Sequence, residues 1–221
     1  MKIDNKMIEE IRAKAKEFFV GASGCHDWTH VERVYNLAVK IAKEEKADVG
    51  IVKIAAYLHD IGRREEIKSK GKLDHAEEGV KLARAILEGC DIGEEAKENI
   101  LHCILTHRFR NEHRPQTIEA KVLFDADKLD SIGAVGIARD FLFAGNAGSC
   151  CLYTGNEKKL AKDARDFSYT EEDSALLEYY FKLRKVKSKI ITRTGKEIAR
   201  ERHDFMVEFF KRFEKEIKGQ L

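Results

Sequence analysis

The chain has 221 residues, of which 43% are hydrophobic and 36% are charged, and its formal net charge at pH 7 is +2. This composition is typical of a folded chain with a substantial apolar core and excludes a disordered protein. The near-neutral charge argues against wholesale binding of nucleic acid.

The pattern of apolar residues and breakers predicts an all-α fold. The chain has a single proline and long stretches rich in Glu, Lys, Ala, Leu and Ile. In chain order we expect helices over about residues 5–19, 28–45, 49–61, 74–87, 94–106, 117–131, 137–143, 171–187 and 195–218. Asp74 is a predicted N-cap, and Gly62 is a predicted stop. A strand-like segment is expected only at 188–194.

These helices are expected to form one domain over residues 1–221, because no linker or repeat divides the chain. The core covers about 25–140, and C-terminal helices at 171–221 pack on it. Residues 141–170 are expected to form a loop or lid, because 145–156 are rich in Gly, Asn and Ser.

The sequence predicts a cytoplasmic protein that does not interact with membranes. No apolar run is long enough to span a bilayer, and residues 1–18 mix charges throughout, unlike a signal peptide. The five cysteines include no C-x-x-C pair, which favours free thiols over disulfides or thiolate ligands.

A buried histidine is predicted in the second helix. In the stretch C-H-D-W-T-H-V-E-R-V, His30 lies in register with the apolar Val34 and Ile41. An imidazole on an inward-facing stripe needs a partner for each ring nitrogen, which a metal ion and an outer carboxylate can supply. His30 is therefore a candidate metal ligand.

Two further stretches place side chains of the same kind near buried helix faces. A-A-Y-L-H-D-I-G puts His59 beside Asp60 at a helix C-terminus, and V-L-F-D-A-D-K-L-D-S-I-G puts Asp127 in register with Phe124. Two imidazoles and two carboxylates suit one divalent ion such as Mn, Fe, Ni, Co, Zn or Mg. Such an ion activates water and polarises a phosphoryl oxygen.

The order of these residues, H…HD…D, resembles the HD-domain superfamily of metal-dependent phosphohydrolases. The flanking words H-D-W-x-H-x-x-R-V, L-H-D-I-G and D-A-D-K-L-D-S-I-G-A-x-G-I-A-R look like a bacterial subgroup of small, stand-alone hydrolases. The resemblance implies a helical bundle that hydrolyses phosphomonoester or pyrophosphate bonds of small molecules, often nucleotides. It also implies that Asp60 helps to activate water.

The other His-Asp pairs are weaker candidates, because the dipeptide occurs three times in the chain. His26–Asp27 could line the rim of the site, or Asp27 could simply cap a helix. Asp130 is expected to hydrogen-bond or cap, and His203–Asp204 is expected to be structural.

Basic residues near the ligands are candidate phosphate contacts. Arg33 lies one turn after the first ligand and Lys128 directly follows the last, although surface ion pairs are the alternative. The segment 182–202 is strongly basic and is either a solvated face or a polyphosphate contact through Lys182, Lys185, Arg193 and Arg202. A nucleic-acid surface is less favoured, because no aromatic residues interleave with the charges.

The number of ions depends on His75 and His107, which lie on apolar faces of their predicted helices. Related HD subfamilies hold a second metal with extra histidines, but this chain lacks the adjacent His-His pair and the G-Y-P word of the two-metal cyclic-dinucleotide phosphodiesterases. We expect one ion and do not favour a second. His75 and His107 then line the pocket as the acid or as phosphate contacts.

Two other functions stay open at this point. A di-iron oxygenase of the HD type needs a second, histidine-rich iron site. A non-catalytic module would bind metal or nucleotide and signal to a partner. The expected partner of the chain is a small phosphate-containing molecule, foremost a nucleotide, and the oligomeric state, a homodimer included, stays open.

Overall fold

The computed structural model describes residues 3–22, 24–69, 72–108, 113–147, 149, 151–163, 165, 167, 170 and 172–221. Its α-helices are α1 (Asn5–Glu17), α2 (Trp28–Glu44), α3 (Val49–Leu58), α4 (Arg63–Lys68), α5 (His75–Glu88), α6 (Glu94–Thr106), α7 (Ile118–Asp130), α8 (Gly133–Ala147), α9 (Glu157–Leu160), α10 (Ala175–Phe181) and α11 (Arg193–Ile217). Short 3-10 helices lie at Gly24–His26 and Leu183–Lys189. These described residues contain no strand, which confirms the all-α fold.

The chain separates into two compact units. The first comprises Met1–Asp127 with Ile191–Gly195, and the second comprises Lys128–Ile190 with Lys196–Leu221. The boundary falls inside α7, directly after Asp127. The expectation of one undivided domain stays a prediction. No helix among the described residues is both long and apolar enough to cross a membrane.

Aspartate caps set the start of four helices in the first unit. The side chains of Asp4, Asp27, Asp48 and Asp74 each accept a hydrogen bond from a backbone N–H in the first turn that follows. These bonds satisfy amides that a helix leaves without an internal partner. The caps fix where α2 and α5 begin, and therefore where His30 and His75 lie on their helices.

Gly62 allows a close approach between the turn after α3 and helix α5. A Cβ at this position would lie 2.2 Å from the carbonyl oxygen of His75 and 2.6 Å from the amide nitrogen of Gly79. No larger residue fits without backbone movement. Helix α3 was predicted to run to Ile61 and stop at Gly62, but it ends at Leu58, and Gly62 instead precedes the short helix α4, which was not predicted.

The returning segment Ile191–Gly195 is held in the first unit by two carboxylates. The buried Asp125 accepts hydrogen bonds from the backbone N–H groups of Ile191 and Thr192, at 2.9 and 2.7 Å. Glu45 accepts one from the N–H of Thr194 at 2.7 Å. The prediction of a strand-like segment at 188–194 is wrong. In the described residues, the backbone N–H groups of this segment donate hydrogen bonds to side-chain carboxylates and not to a neighbouring strand.

The second unit is built around aromatic side chains of α8, α10 and α11. The rings of Tyr179 and Phe210 stack with centroids 4.1 Å apart, and Phe141 packs against Phe210 at 6.4 Å. Helix α8 is longer than predicted at both ends, and it contains Gly136, where a Cβ would be 2.3 Å from the carbonyl oxygen of Ser131.

The expected loop at 141–170 is partly helical, since it holds the end of α8 and all of α9. Glu157, the first residue of α9, is buried and accepts hydrogen bonds from the backbone N–H groups of Thr154 and Gly155. This side chain orders the turn that composition alone indicated as irregular. Residues 148, 150, 164, 166, 168 and 169 of the expected loop lie outside the described residues.

Candidate metal centre

The four predicted ligands lie together in the first unit. Nε2 of His30 is 3.3 Å from Nε2 of His59, 3.6 Å from Oδ2 of Asp60 and 3.5 Å from Oδ1 of Asp127. Both histidines and Asp60 are buried, while Asp127 is partly exposed. Two imidazole nitrogens and two carboxylates therefore face one point from α2, the end of α3 and α7.

The tautomer and the charge of His59 are those that a metal ligand needs. Its Nδ1 lies 2.8 Å from the carbonyl oxygen of Ala56, so Nδ1 carries the hydrogen and Nε2 presents its lone pair. Burial lowers the pKa of His59 to about 4, against the ordinary 6.5. The ring is therefore neutral at physiological pH, which is the form that a metal ion requires.

Asp60 links two groups of potential ligands. Its Oδ2 faces His30 and His59, while Oδ1 lies 3.3 Å from Nε2 of His75 and 3.4 Å from Nε2 of His107. Burial opposes ionisation of Asp60, but the Arg63 guanidinium and neighbouring histidines hold its pKa well below the usual value. The charged carboxylate can serve both groups.

The second group consists of Asp60, His75 and His107, all buried. The Nε2 atoms of the two histidines are 3.1 Å apart. Nδ1 of His107 donates to the carbonyl oxygen of Ile104 at 2.6 Å, and Nδ1 of His75 lies 2.9 Å from Oε2 of Glu66. His75 and His107 thus come together with Asp60 rather than line a distant wall.

The atoms that face one another in the centre are mostly hydrogen-bond acceptors, an arrangement that a bound cation would stabilise. Among the described residues, no hydrogen-bond donor reaches the buried Oδ1 of Asp60. Lone pairs on Nε2 of His59 and His107 point into the same space, and such acceptors repel unless a positive charge lies between them. Both groups therefore have the donor set of a divalent-ion site.

The His26–Asp27 pair has both of the roles that the sequence left open. Nδ1 of His26, a partly exposed residue, lies 3.6 Å from Oδ2 of Asp60, and its ring packs against the ring of His30. Asp27 caps α2, because its carboxylate accepts from the N–H of His30 at 3.2 Å. His26 lies at the edge of the first ligand group.

Arg33 lies one turn after His30 as expected, and its guanidinium donates to Oγ1 of Thr29 at 2.9 Å. Lys128 is on α7 but belongs to the second unit. Burial, followed by the charges of Lys128, Lys182 and Lys185, lowers the pKa of Lys189.

Other candidates have structural partners in the second unit. Arg202 donates to the carbonyl oxygen of Leu129 at 2.6 Å, near the end of α7. Asp130 pairs with Arg139 at 2.6 Å, in line with its expected hydrogen-bonding role. Lys182 pairs with Glu178 on α10.

Three charged residues around the centre were missed from the sequence. Arg63 donates from Nε to Oδ2 of Asp60 at 3.1 Å and from NH1 to Oε2 of Glu66 at 3.2 Å. Arg108 donates to Oε1 of Glu66 at 2.9 Å. The spacing of Asp60, Arg63 and Glu66, three residues apart, was the available signal, because such residues share a helical face.

Comparison with known proteins agrees with this arrangement. Residues 27–132 match the family described as HD domain. Protein YpgQ of Bacillus subtilis (strain 168) is 36% identical over 218 residues, which cover 97% of this chain and 95% of YpgQ.

Solved structures are similar over nearly the whole chain. The crystal structure of Bacillus subtilis YpgQ in complex with ADP has a TM-score of 0.71 and 33% identity, covering 96% of this chain and 95% of that one. An HD-superfamily hydrolase from Bacillus thuringiensis has a TM-score of 0.72 and 29% identity, covering 97% and 98%. The family expected from the H…HD…D pattern is confirmed. The chain belongs to the HD-domain superfamily of hydrolases.

Proposed function

We propose that the chain is a metal-dependent phosphohydrolase whose catalytic ion is bound by His30, His59, Asp60 and Asp127. The observation that carries this proposal is that Nε2 of His59 and one carboxylate oxygen each of Asp60 and Asp127 lie within 4 Å of Nε2 of His30. When bound, a divalent ion lowers the pKa of water and polarises a phosphoryl oxygen. Mn, Fe, Ni, Co, Zn and Mg are the candidate ions.

The residues of the chain have distinct parts in this proposal. Asp60 remains ionised, because Arg63 and the neighbouring histidines lower its pKa despite its burial, and it can accept a proton from the attacking water. Arg33 and Lys128 are the proposed phosphate contacts. Arg33 is half-buried one turn after His30, and its hydrogen bond to Thr29 holds it at the start of α2.

A nucleotide is the proposed substrate, cleaved at a phosphomonoester or pyrophosphate bond. The complex of YpgQ with ADP supports this choice, because YpgQ is similar over nearly the whole chain. ADP offers both a phosphate ester and an anhydride. The sequence-based assignment of His75 and His107 as acid or phosphate contacts stays a prediction.

The test is a panel of nucleoside mono-, di- and triphosphates and one generic phosphodiester, each incubated with protein and Mn²⁺. We expect Mn²⁺-dependent release of phosphate or pyrophosphate from at least one nucleotide, and no release with EDTA. A panel without any turnover would contradict the proposal. Nucleotide binding without turnover would instead favour the non-catalytic module.

A di-iron oxygenase is the second candidate function. It is favoured by one observation, the presence of the second group Asp60, His75 and His107 beside the first. Oxygen consumption by iron-loaded protein with small polyols or phosphonates, in the absence of any phosphate release from nucleotides, would favour it. Phosphate release under anaerobic conditions would favour the hydrolase.

A further inference from the structure

Residues 182–189 form a basic surface on the second unit. Five of these eight residues are Lys or Arg and none is Asp or Glu. All five are exposed. We call this set the basic ladder, which consists of Lys182, Arg184, Lys185, Lys187 and Lys189. The proposed function does not use these side chains.

A 3-10 helix arranges the ladder in rows. The second 3-10 helix of the chain carries four of the five cations. In such a helix, side chains three positions apart lie above one another, with a spacing of about 6 Å along the axis. Leu183 and Val186 share one row, and both are buried. Arg184 and Lys187 share a second row and Lys185 lies on the third, so the buried row directs these cations to solvent.

Two aromatic rings at the end of α10 hold cations of the ladder in place. Nζ of Lys185 lies 5.4 Å from the ring centroid of Phe181, and the guanidinium carbon of Arg184 lies 5.5 Å from that of Tyr180. Cation–π contacts of this kind restrict long side chains, so less freedom is lost when a ligand binds. The sequence disfavoured a nucleic-acid surface because no aromatic residues interleave with the charges, but these two rings contact the charges in the folded chain.

Like charges repel one another in the ladder despite nearby carboxylates. Glu178 pairs with Lys182 at 2.7 Å, and Asp204 pairs with Lys187 at 3.8 Å. Ion pairs at the surface contribute little to stability. Burial, followed by the charges of neighbouring lysines, lowers the pKa of Lys189. A bound polyanion would relieve the repulsion that remains.

We propose that the basic ladder binds the phosphodiester backbone of a single-stranded nucleic acid, without regard to its base sequence. The spacing of about 6 Å within a row is close to that of consecutive phosphates in an extended strand. It is longer than the distance between phosphates joined by one bridging oxygen, so the ladder fits a strand better than the polyphosphate tail of one nucleotide. Contacts from Lys and Arg to successive phosphates give affinity but carry no sequence information.

An anionic membrane surface is the rival partner, and the buried row argues against it. Helices that bind at a membrane interface insert apolar side chains into the lipid and keep their charges on the opposite face. The apolar side chains of the ladder helix, Leu183 and Val186, are buried in the protein instead. Only the cations remain for binding, which suits a strand of phosphates.

Binding is measured on the full chain in EDTA, so that phosphates neither bind through a metal ion nor are hydrolysed by one. The probes are fluorescein-labelled single-stranded oligouridylate and oligothymidylate of about 12 nucleotides. By fluorescence anisotropy we expect a Kd on the order of 10 μM at about 50 mM salt, similar for RNA and DNA because both have the same phosphates. The logarithm of the affinity should fall with the logarithm of the salt concentration with a slope of about −3. Absence of binding at low salt, with protein up to roughly 1 mM, would overturn the proposal.

The triple variant Arg184→Gln, Lys185→Gln and Lys187→Gln tests the ladder itself. It removes three exposed cations and leaves the buried row intact. We expect binding at least about 10-fold weaker at low salt, and a salt slope of about −1. Wild-type affinity in this variant would overturn the proposal.

The matched control changes the net charge by the same amount at another place on the second unit. It carries Lys211→Gln, Arg212→Gln and Lys215→Gln, three exposed residues of α11 that lie among acidic residues such as Glu214 and Glu216. This variant should bind the oligonucleotides with nearly wild-type affinity. Equal losses in the two triple variants would show a dependence on net charge alone and would overturn the role of the ladder.

Two further measurements locate the contact and identify the partner. In ¹H–¹⁵N NMR, oligouridylate should shift the amide signals of residues 182–189, and shifts confined to other residues would contradict the proposal. Vesicles of phosphatidylcholine and phosphatidylserine should bind more weakly than the oligonucleotides. Binding of these vesicles by the ladder, with no binding of either oligonucleotide, would assign the surface to lipid and overturn the proposal.

The outcomes are independent of the proposed function. The ladder binds in EDTA, where no metal-dependent hydrolysis takes place. Failure of nucleotide hydrolysis therefore leaves this proposal intact, and failure of strand binding leaves the proposed function intact.

Discussion

Nε of Arg63, a half-buried residue, lies 3.1 Å from Oδ2 of the fully buried Asp60. This guanidinium is the one permanent positive charge described in direct contact with that carboxylate. It balances Asp60 when no metal ion is bound. The stability of the metal-free protein and the affinity of the centre for ions are therefore coupled through one ion pair.

Arg63→Met should destabilise the metal-free protein by about 2 kcal/mol or more, because it leaves a buried carboxylate without its partner. Addition of Mn²⁺ should restore much of this loss, since the ion supplies the missing positive charge. Thermal unfolding with EDTA and with Mn²⁺ measures both effects. Arg64→Met, at the exposed neighbouring residue, is the control. A loss of the same size with and without Mn²⁺ would contradict the coupling.

Gly62→Ala should disrupt the centre through the backbone. The added Cβ would meet backbone atoms of His75 and Gly79 at 2.2 and 2.6 Å, so the turn after α3 must move away from α5. We expect a loss of at least about 2 kcal/mol in the free energy of unfolding, and weaker Mn²⁺ binding.

Gly93→Ala is the control for this change, because a Cβ at Gly93 meets nothing within 4 Å and its backbone is extended. Urea unfolding of both variants gives the comparison. Wild-type stability in Gly62→Ala would show that the close approach of the turn and α5 is not needed.

Much of the centre could be predicted because its residues occupy recognisable positions in the periodic pattern of apolar residues. His30 and Asp127 interrupt apolar stripes at helical spacing. The dipeptide His59–Asp60 directly follows an apolar helix. Periodicity shows which side chains point inward, and inward-pointing imidazoles and carboxylates need an explanation. The same reasoning identified His75 and His107 on apolar faces, although as pocket residues and not as metal ligands.

The network around His75 could not be predicted in the same way. Glu66 on α4 and Arg108 after α6 contact each other, and both contact His75 on α5. Contacts between residues 42 positions apart depend on packing distances that no local pattern contains.

The structural role of Asp125 could not be predicted from the sequence either. It is two residues before Asp127 in the same D-A-D word, yet it bonds the backbone of the returning segment instead of facing the ligands. Sequence position does not separate the two roles. Only the hydrogen bonds to Ile191 and Thr192 identify Asp125 as structural.

Asp125→Ala should therefore destabilise the protein without changing the number of bound ions. The change leaves the backbone N–H groups of the half-buried Ile191 and the buried Thr192, and the hydroxyl of Thr192, without their acceptor, a loss of about 3 kcal/mol. Urea unfolding measures the stability, and elemental analysis of the folded fraction counts the ions. Asp91→Ala, at an exposed position, is the control. Stability within about 0.5 kcal/mol of the wild type would contradict this role.

His102 should make stability depend on pH. Burial, and then the charge of His113, lowers its pKa below the ordinary 6.5, and its Nε2 accepts from the N–H of Gln116. The unfolded chain therefore binds this proton more readily than the folded chain. The contribution is present above pH 6.5 and is lost as pH falls below it.

His102→Gln removes this titration while keeping an acceptor near the same place. Urea unfolding between pH 5 and pH 8 should give a shallower decline in stability below about pH 6.5 than in the wild type. Identical pH profiles for the two proteins would rule out a contribution from His102.

Mn²⁺-dependent hydrolysis of a nucleotide by wild-type protein and by Asp60→Ala tests the central claim most directly. Asp60 faces His30 and His59 through Oδ2 and His75 and His107 through Oδ1, and it is the proposed acceptor of the proton from water. We expect the rate of the variant to fall to that of the wild type in EDTA, while Asp91→Ala keeps the wild-type rate. Full activity in folded Asp60→Ala would contradict a metal-dependent phosphohydrolase at this centre.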